Sequence, residues 1–366
     1  MSTFRMLLAA LLIGLTGTVY AQNADLKLLD WKPVSQLRVK QTEIAKPKFP
    51  VIDIHNHLRR LDDAKQYLKE MDEAGVLQCV SLDGYSKDDF YKKHLTESDN
   101  DSKGRIIVFF VPDFENIDMP DYGKKEAAKL EEAVKLGCRG LKIYKELGLV
   151  HKDKSGKLIK IDDPRLDPIW EKCGELGIPV LIHVSDPLAF FTPVDKYNER
   201  YDELAGHPDW AFFDTSKYPG KEELLEQRNR VFARHPNTIF IGAHVATLPE
   251  DLGRVSMWMD MYPNLYVDIS ARISDIGRQP YSARKFMIKY QDRILFGTDT
   301  TPRASAYRIY YRFLETDDEY FDPSGGHNQQ GRWCIYGIHL PDDALEKIYN
   351  GNAMRIFKMF DKKIKK

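Results

Sequence analysis

The feature that most constrains this chain is an alternation. From residue 51 onward, short apolar runs take turns with longer amphipathic segments. The runs are VIDIHNH (51–57), VLQCVSLDG (76–84), RIIVFFVPDF (105–114), CRGLKIY (138–144), PVLIHVSD (179–186), TIFIGAH (238–244), LYVDIS (265–270) and RILFGTDT (293–300). They are nearly continuous in apolar character, as strands are when both faces are covered. DAKQYLKEMDEAG, GKKEAAKLEEAVKLG and RLDPIWEKCGELG each end on glycine, the usual stop of a helix, and 221–236 and 249–261 carry further amphipathic runs. Eight strands alternating with helices predict an α/β chain forming a (β/α)8 TIM-like barrel with long βα loops. A doubly wound open sheet is the other topology the pattern allows. The connections 186–220 and 300–340 exceed plain βα turns and leave the C-terminal ends of their strands. That end is a barrel's active-site face, so both are expected as lids or substrate walls.

The rest of the chain bounds the setting. With 54 basic and 55 acidic residues it offers no excess of positive charge, which argues against a nucleic-acid partner. MSTFRMLLAALLIGLTGTVYAQ has a basic start at Arg5, an apolar core over Leu7–Leu15 and a small-residue site ending at Ala21. This predicts a signal peptide over 1–21, because the apolar run is too short to span a bilayer. The mature chain is then expected to be periplasmic or secreted and off the membrane, as a monomer or homo-oligomer. Residues 22–49 read as an extended lead-in and 50–362 as the barrel. Cys79, Cys138, Cys173 and Cys334 form no close pair, which excludes a thiolate zinc site. Cys79 and Cys138 sit in or beside apolar runs, where buried free thiols are expected.

The polar residues inside the apolar runs carry the chemistry. Side chains alternate along a strand, so His55 and His57 are expected on one side with Asn56 turned away. By itself this H-x-H suits either a metal site or the edge of a sheet. His183 in VLIHVSD, His244 at the end of IFIGAH and Asp299 in LFGTDT change the weighting. Each stands at the C-terminal end of an apolar run, where a barrel gathers its catalytic groups. Imidazoles and a carboxylate suit a divalent ion, with zinc expected and manganese or iron as the other options. Such an ion lowers the pKa of a bound water to about 7.

VIDIHNH, VLIHVSD, FIGAH and ILFGTDT together resemble the amidohydrolase superfamily. Within it the chain is similar to the amidohydrolase-related branch that includes aminocarboxymuconate-semialdehyde-type decarboxylases. LPDDALEKIYNGNAMRIFKMF resembles that branch's closing helices. The resemblance implies His55, His57, His183 and Asp299 as ligands of one metal ion. It assigns His244 and Asp299 to catalysis. Lys142, in GLKIYK, corresponds to the lysine that bridges two metals in binuclear members. A contact to substrate and a plain strand-end lysine are its other readings, and one ion is favoured over two. Arg59, Arg60, Arg272 and Arg303 follow strand ends and are candidate carboxylate binders, with a solvated surface arginine as the other reading of each. The expected function is an exported metal-dependent hydrolase of a small ester, lactone or amide. The alternatives are a metal-dependent non-oxidative decarboxylase of a small carboxylic acid and a non-catalytic ligand-binding barrel.

Overall fold

The computed structural model describes residues 25–27, 30–31, 33–59, 64–324 and 330–357. The expected signal peptide and Arg60 lie outside them. Eight parallel strands follow one another around a sheet in chain order. They are β1 (Val51–Asn56), β2 (Val76–Tyr85), β3 (Ile106–Val111), β4 (Leu141–Ile143), β5 (Val180–Ile182), β6 (Phe240–Gly242), β7 (Leu265–Asp268) and β8 (Ile294–Leu295). The sheet closes on itself between β8 and β1. Ile54 N–H donates to Phe296 O at 3.0 Å and Asp299 N–H donates to His55 O at 2.8 Å. The principal helix after each strand is, in turn, α1 (Ala64–Ala74), α2 (Phe90–Ser102), α3 (Tyr122–Leu136), α4 (Asp167–Leu176), α5 (Lys221–Arg234), α6 (Leu252–Met261), α7 (Pro280–Lys289) and α8 (Ala304–Glu315). The chain is a (β/α)8 barrel, as the alternation predicts.

Two apolar layers hold it. Ile52, Ile54, Val80, Leu82, Phe109, Leu181, Ile241 and Leu295 fill the interior. The helix Asn352–Phe357 stoppers the N-terminal end, with Ile356 and Phe357 joining that cluster and Asn352 Nδ2 donating to Ile294 O. The opposite strand faces, including Val51, Val108, Phe110, Leu141 and Ile143, pack under the helices. Burying each such side chain is worth about 1.5–3 kcal/mol. The ladders of β4 to β8 are shorter than the apolar runs predict. Residues past their ends, such as Val184, Ile269 and Phe296, stay buried, and Ile269 and Phe296 still make backbone hydrogen bonds, to Leu295 O and from Ile54 N–H, outside the regular ladder. The lead-in is tied to the barrel at its end. Its last ten residues fasten to the segment that follows α8, with Thr42 N–H and Oγ1 donating to Asp318 at 2.6 and 2.7 Å.

Connection 186–220 builds a small core of its own. Phe190 is buried and stacks with Trp210 at 6.5 Å, and Phe191 packs on Phe212 at 5.6 Å. Tyr197 faces solvent.

One close approach is specific to the interior. A Cβ on Gly140 would stand 2.4 Å from the Phe109 ring, which is fully buried beside Phe357. Gly140→Ala is therefore expected to lower stability by about 1–3 kcal/mol in urea denaturation. Phe109→Leu in the same chain is expected to recover part of the loss, and simple additivity of the two changes would refute the clash.

Candidate active site

Asp299 is the hub of the strand-end cluster. Its Oδ1 lies 3.2 Å from His55 Nε2 and 3.1 Å from His57 Nε2, and its Oδ2 lies 3.8 Å from His244 Nε2. These four residues come from β1, the end of β8 and the turn after β6. A register shift between Asp53 and Asn56 breaks the alternation of β1. Ile52 and Ile54 can thus enter the interior cluster while His55 and His57 both reach Asp299.

Each of these imidazoles has its other nitrogen held. His55 Nδ1 meets Asp268 Oδ2 at 2.9 Å and Ser270 Oγ at 2.8 Å. His57 Nδ1 lies 3.2 Å from Tyr144 OH and 3.5 Å from Asp83 Oδ1. His244 Nδ1 donates to Ser270 O at 2.8 Å. A carboxylate or carbonyl can only accept, so Nδ1 of His55 and of His244 is the donor in these contacts, the arrangement that turns Nε2 toward a cation.

The electrostatics agree. Burial opposes ionisation of Asp299, but His55 and His244 outweigh it and hold the carboxyl well below its ordinary value. Burial, with His183 and Arg272 nearby, keeps His244 neutral. For His57, burial is outweighed by Asp299 and Asp83, which raise it.

This donor set fits a divalent cation. Two groups bring three ligand atoms within 4.8 Å of one another, His55–His57–Asp299 and His55–His244–Asp268. In the second, Asp268 is already engaged by His55, by Ser270 Oγ and by the His244 N–H at 2.8 Å. The first is therefore the group free to hold the ion, and Asp268 and Asp83 orient it.

The remaining expected residues fall into place unevenly. Lys142 points inward and is fully buried, with Nζ 3.4 Å from His55 Nε2. Burial holds its amine down to about 8, although Asp299 and Asp268 pull the other way. His183 touches His244, ring centroids 4.4 Å apart. Its Nε2, however, donates to Ser185 O at 2.9 Å, and it stands outside both ligand groups. Arg59 is largely exposed and 3.5 Å from Asp83. Arg303 is exposed at the start of α8. Arg272 is 5% exposed; its Nη2 lies 3.6 Å from Asp186 and its Nε has no hydrogen-bond partner among the described residues.

His244 sits on strained backbone. Residues 244–247 all have positive φ, between 51° and 59°, in a single left-handed turn. Such a turn costs roughly 1–2 kcal/mol per residue for L-residues. Buried cations clamp its carbonyls: Arg228 Nη1 donates to Ala246 O at 2.6 Å and Lys221 Nζ to Thr247 O at 2.8 Å. Strain held in this way is a mark of functional positioning.

Asp83, Tyr144, Asp268, Ser270 and Arg228 are site residues that sequence reasoning did not single out. Asp83 and Asp268 carried a readable signal, a carboxylate at the C-terminal end of an apolar run, the same signal as Asp299. Beside the cluster a cavity of about 680 Å³, including its open mouth, is bounded by Asp299, Ile273, Tyr310, Gln330 and Trp333 among others. Part of its wall comes from connection 300–340, as expected for that segment.

Fold and site together define a metal-dependent (β/α)8 barrel enzyme. The amidohydrolase family model matches residues 52–359, and the chain belongs to that family. Among solved structures, 2,6-dihydroxybenzoate decarboxylase from Rhizobium is 17% identical, covering 85% of this chain and 99% of its own, with a TM-score of 0.54. 5-Carboxyvanillate decarboxylase from Sphingomonas paucimobilis is 14% identical, covering 85% and 99%, at 0.53. A dihydroxybenzoic acid decarboxylase from Polaromonas sp. JS666 with bound manganese is 19% identical, covering 85% and 97%, at 0.53. No curated protein sequence matches the chain. The expected ester, lactone or amide hydrolase is corrected here: the named neighbours are decarboxylases on the same scaffold, which favours the decarboxylase alternative over it. A divalent metal stands; zinc in particular does not follow.

If Asp268 orients His55 for the ion, Asp268→Asn is expected to weaken metal affinity about 10- to 100-fold with an unchanged far-UV spectrum. Competition against a chelator measures this, and an unaltered affinity would remove Asp268 from the site.

Proposed function

We propose that this chain is a metal-dependent non-oxidative decarboxylase of a small carboxylic acid, and that one manganese ion, not zinc, is held by His55, His57 and Asp299. The observation that carries the reading is Arg272. It is a buried guanidinium whose charge acts on His244, with an Nε that nothing accepts from among the described residues. With Nη1 donating to Ala271 O and Nη2 facing Asp186, the Nε–H is the donor left to take a substrate carboxylate in a charge-assisted hydrogen bond. The decarboxylases among the structural relatives support the same reading. One ion is favoured because, among the described residues, the second group needs Asp268, which is already engaged by His55 and by the His244 N–H.

The reaction is R–COO⁻ + H⁺ → R–H + CO2. A bound divalent ion would supply Lewis acidity toward an oxygen of the substrate. The chain itself must hold the carboxylate and deliver one proton to the carbon that loses it. Arg272 does the first. His244 Nε2 and Asp299 Oδ2, 3.8 Å apart, hold and move the proton. Lys142 Nζ, beside His55, lends positive charge to an anionic substrate when it is protonated.

The test is carbon dioxide release from a panel of hydroxylated benzoates by manganese-loaded protein in deuterium oxide. Each turnover is expected to leave one deuterium on the vacated carbon. Stripping the metal should abolish turnover, and manganese should restore it. Cleavage of esters, lactones or amides with no carbon dioxide from any acid would overturn the proposal. His244→Asn is expected to lower kcat about 10²- to 10⁴-fold while bound metal per chain stays the same.

A further inference from the structure

The cavity next to Asp299 has a wall whose construction exceeds what packing needs. Trp333 Nε1 donates to Ser274 O at 2.9 Å, which ties the connection after β8 to the connection after β7. The Arg278 guanidinium lies 4.0 Å from the indole centroid. Gly331 presses so closely that a Cβ there would stand 1.7 Å from the ring. A third connection joins through Arg200, which is fully buried. It donates to both oxygens of Asp275 at 2.7 Å, pairs with Glu203 and reaches to 5.9 Å from the same indole. The long connections after β5, β7 and β8 are thereby locked around one aromatic plane, which is only half-buried and lines the cavity.

Next to it stands Gln330. Its Nε2 donates to Ala271 O at 3.1 Å, which fixes the amide's orientation. Its Oε1 is buried and has no hydrogen-bond partner among the described residues. An amide oxygen left unpaired in a cavity wall costs free energy unless a ligand supplies a donor. Gln330 and Trp333 both line the cavity that Asp299 bounds.

Resting on the decarboxylase reading, we infer that Gln330 and Trp333 determine substrate specificity. Trp333 receives a planar ring and Gln330 Oε1 accepts a hydrogen bond from a hydroxyl on that ring. The substrate class is then an aromatic acid with a free ring hydroxyl. A preassembled aromatic face binds a flat ring with little ordering cost. A site built to hydrogen-bond a hydroxyl rejects the analogue that cannot donate, because its own acceptor stays unpaired.

The test compares binding of 3- and 4-hydroxybenzoate with their methyl ethers, by calorimetry on the manganese-loaded protein. At least one hydroxy acid is expected to bind about tenfold or more tightly than its ether. Gln330→Leu should collapse that preference while leaving ether binding within about twofold. Trp333→Ala should weaken hydroxy acid and ether alike by about tenfold, and Trp333→Phe should recover most of the loss, which a merely structural tryptophan would not allow. Equal binding of acid and ether by the wild type, no binding of either, or an undiminished preference in Gln330→Leu would each overturn the inference. Carbon dioxide release from non-aromatic acids alone would sink this inference and spare the decarboxylase reading. Hydroxyl-selective binding with no carbon dioxide release would do the reverse.

Discussion

The seam between β8 and β1 is the constraint on which the rest depends. A barrel must close, and here the last hydrogen bonds of closure run from Asp299 N–H to His55 O and from His57 N–H to Thr300 O. Three of the four residues whose backbones make those bonds have the side chains that form the His55–His57–Asp299 set. Closing the sheet and assembling the donor set are therefore one event. Asp299 is in the left-handed region, with φ of 66°, a conformation that costs free energy at a non-glycine position. The carboxylate is recovered by two imidazoles and the backbone by the closing bond.

Behind that seam stands a set of groups that fix the clustered histidines. Asp268 holds His55 by its side chain and His244 by its backbone, so one carboxylate couples two histidines from different strands. Asp83 and Tyr144 do the same for His57 from β2 and β4. Arg228 has no carboxylate partner among the described residues; it donates to Ala246 O and Asn229 Oδ1 and lies over the rings of Phe232 and Trp258. Burying such a cation is expensive, and its pKa falls to about 9 by desolvation. A cost of that kind makes physical sense where it keeps a strained turn, and the His244 on it, in place.

The strand-end residues were legible because a barrel gives them a rule: polar groups at the C-terminal ends of apolar runs converge. That rule finds His55, His57, His244 and Asp299, and it places Lys142 inward. It is silent on what a converging residue does once there. His183 obeys the same rule, yet its Nε2 is bonded to Ser185 O, a contact two residues away that no pattern of spacing announces. The left-handed turn at 244–247 is equally hidden, since Val245 and Thr247 are among the residues that least favour it. It forms because Arg228 and Lys221, from a helix before β6, cap its carbonyls. The aromatics of the connection after β5 are compatible with a pocket wall or with a local core, and only the fold reveals which side of Phe190 meets Trp210.

The choice between hydrolase and decarboxylase was the least legible feature, for a chemical reason. Both reactions use one cation, one neutral imidazole and one carboxylate, so the strand ends are the same for either. What separates them is whether the site delivers water to a carbonyl or a proton to a carbon, and that is decided by the groups that grip the substrate. Those groups sit on connections: Arg272 after β7, and Gln330 with Trp333 after β8. Connections vary in length and carry no periodicity, so their residues reveal a role only when several are brought together, as Arg200 brings three of them. In this barrel the strand ends therefore define what chemistry is available, while the loops select the molecule on which it is used.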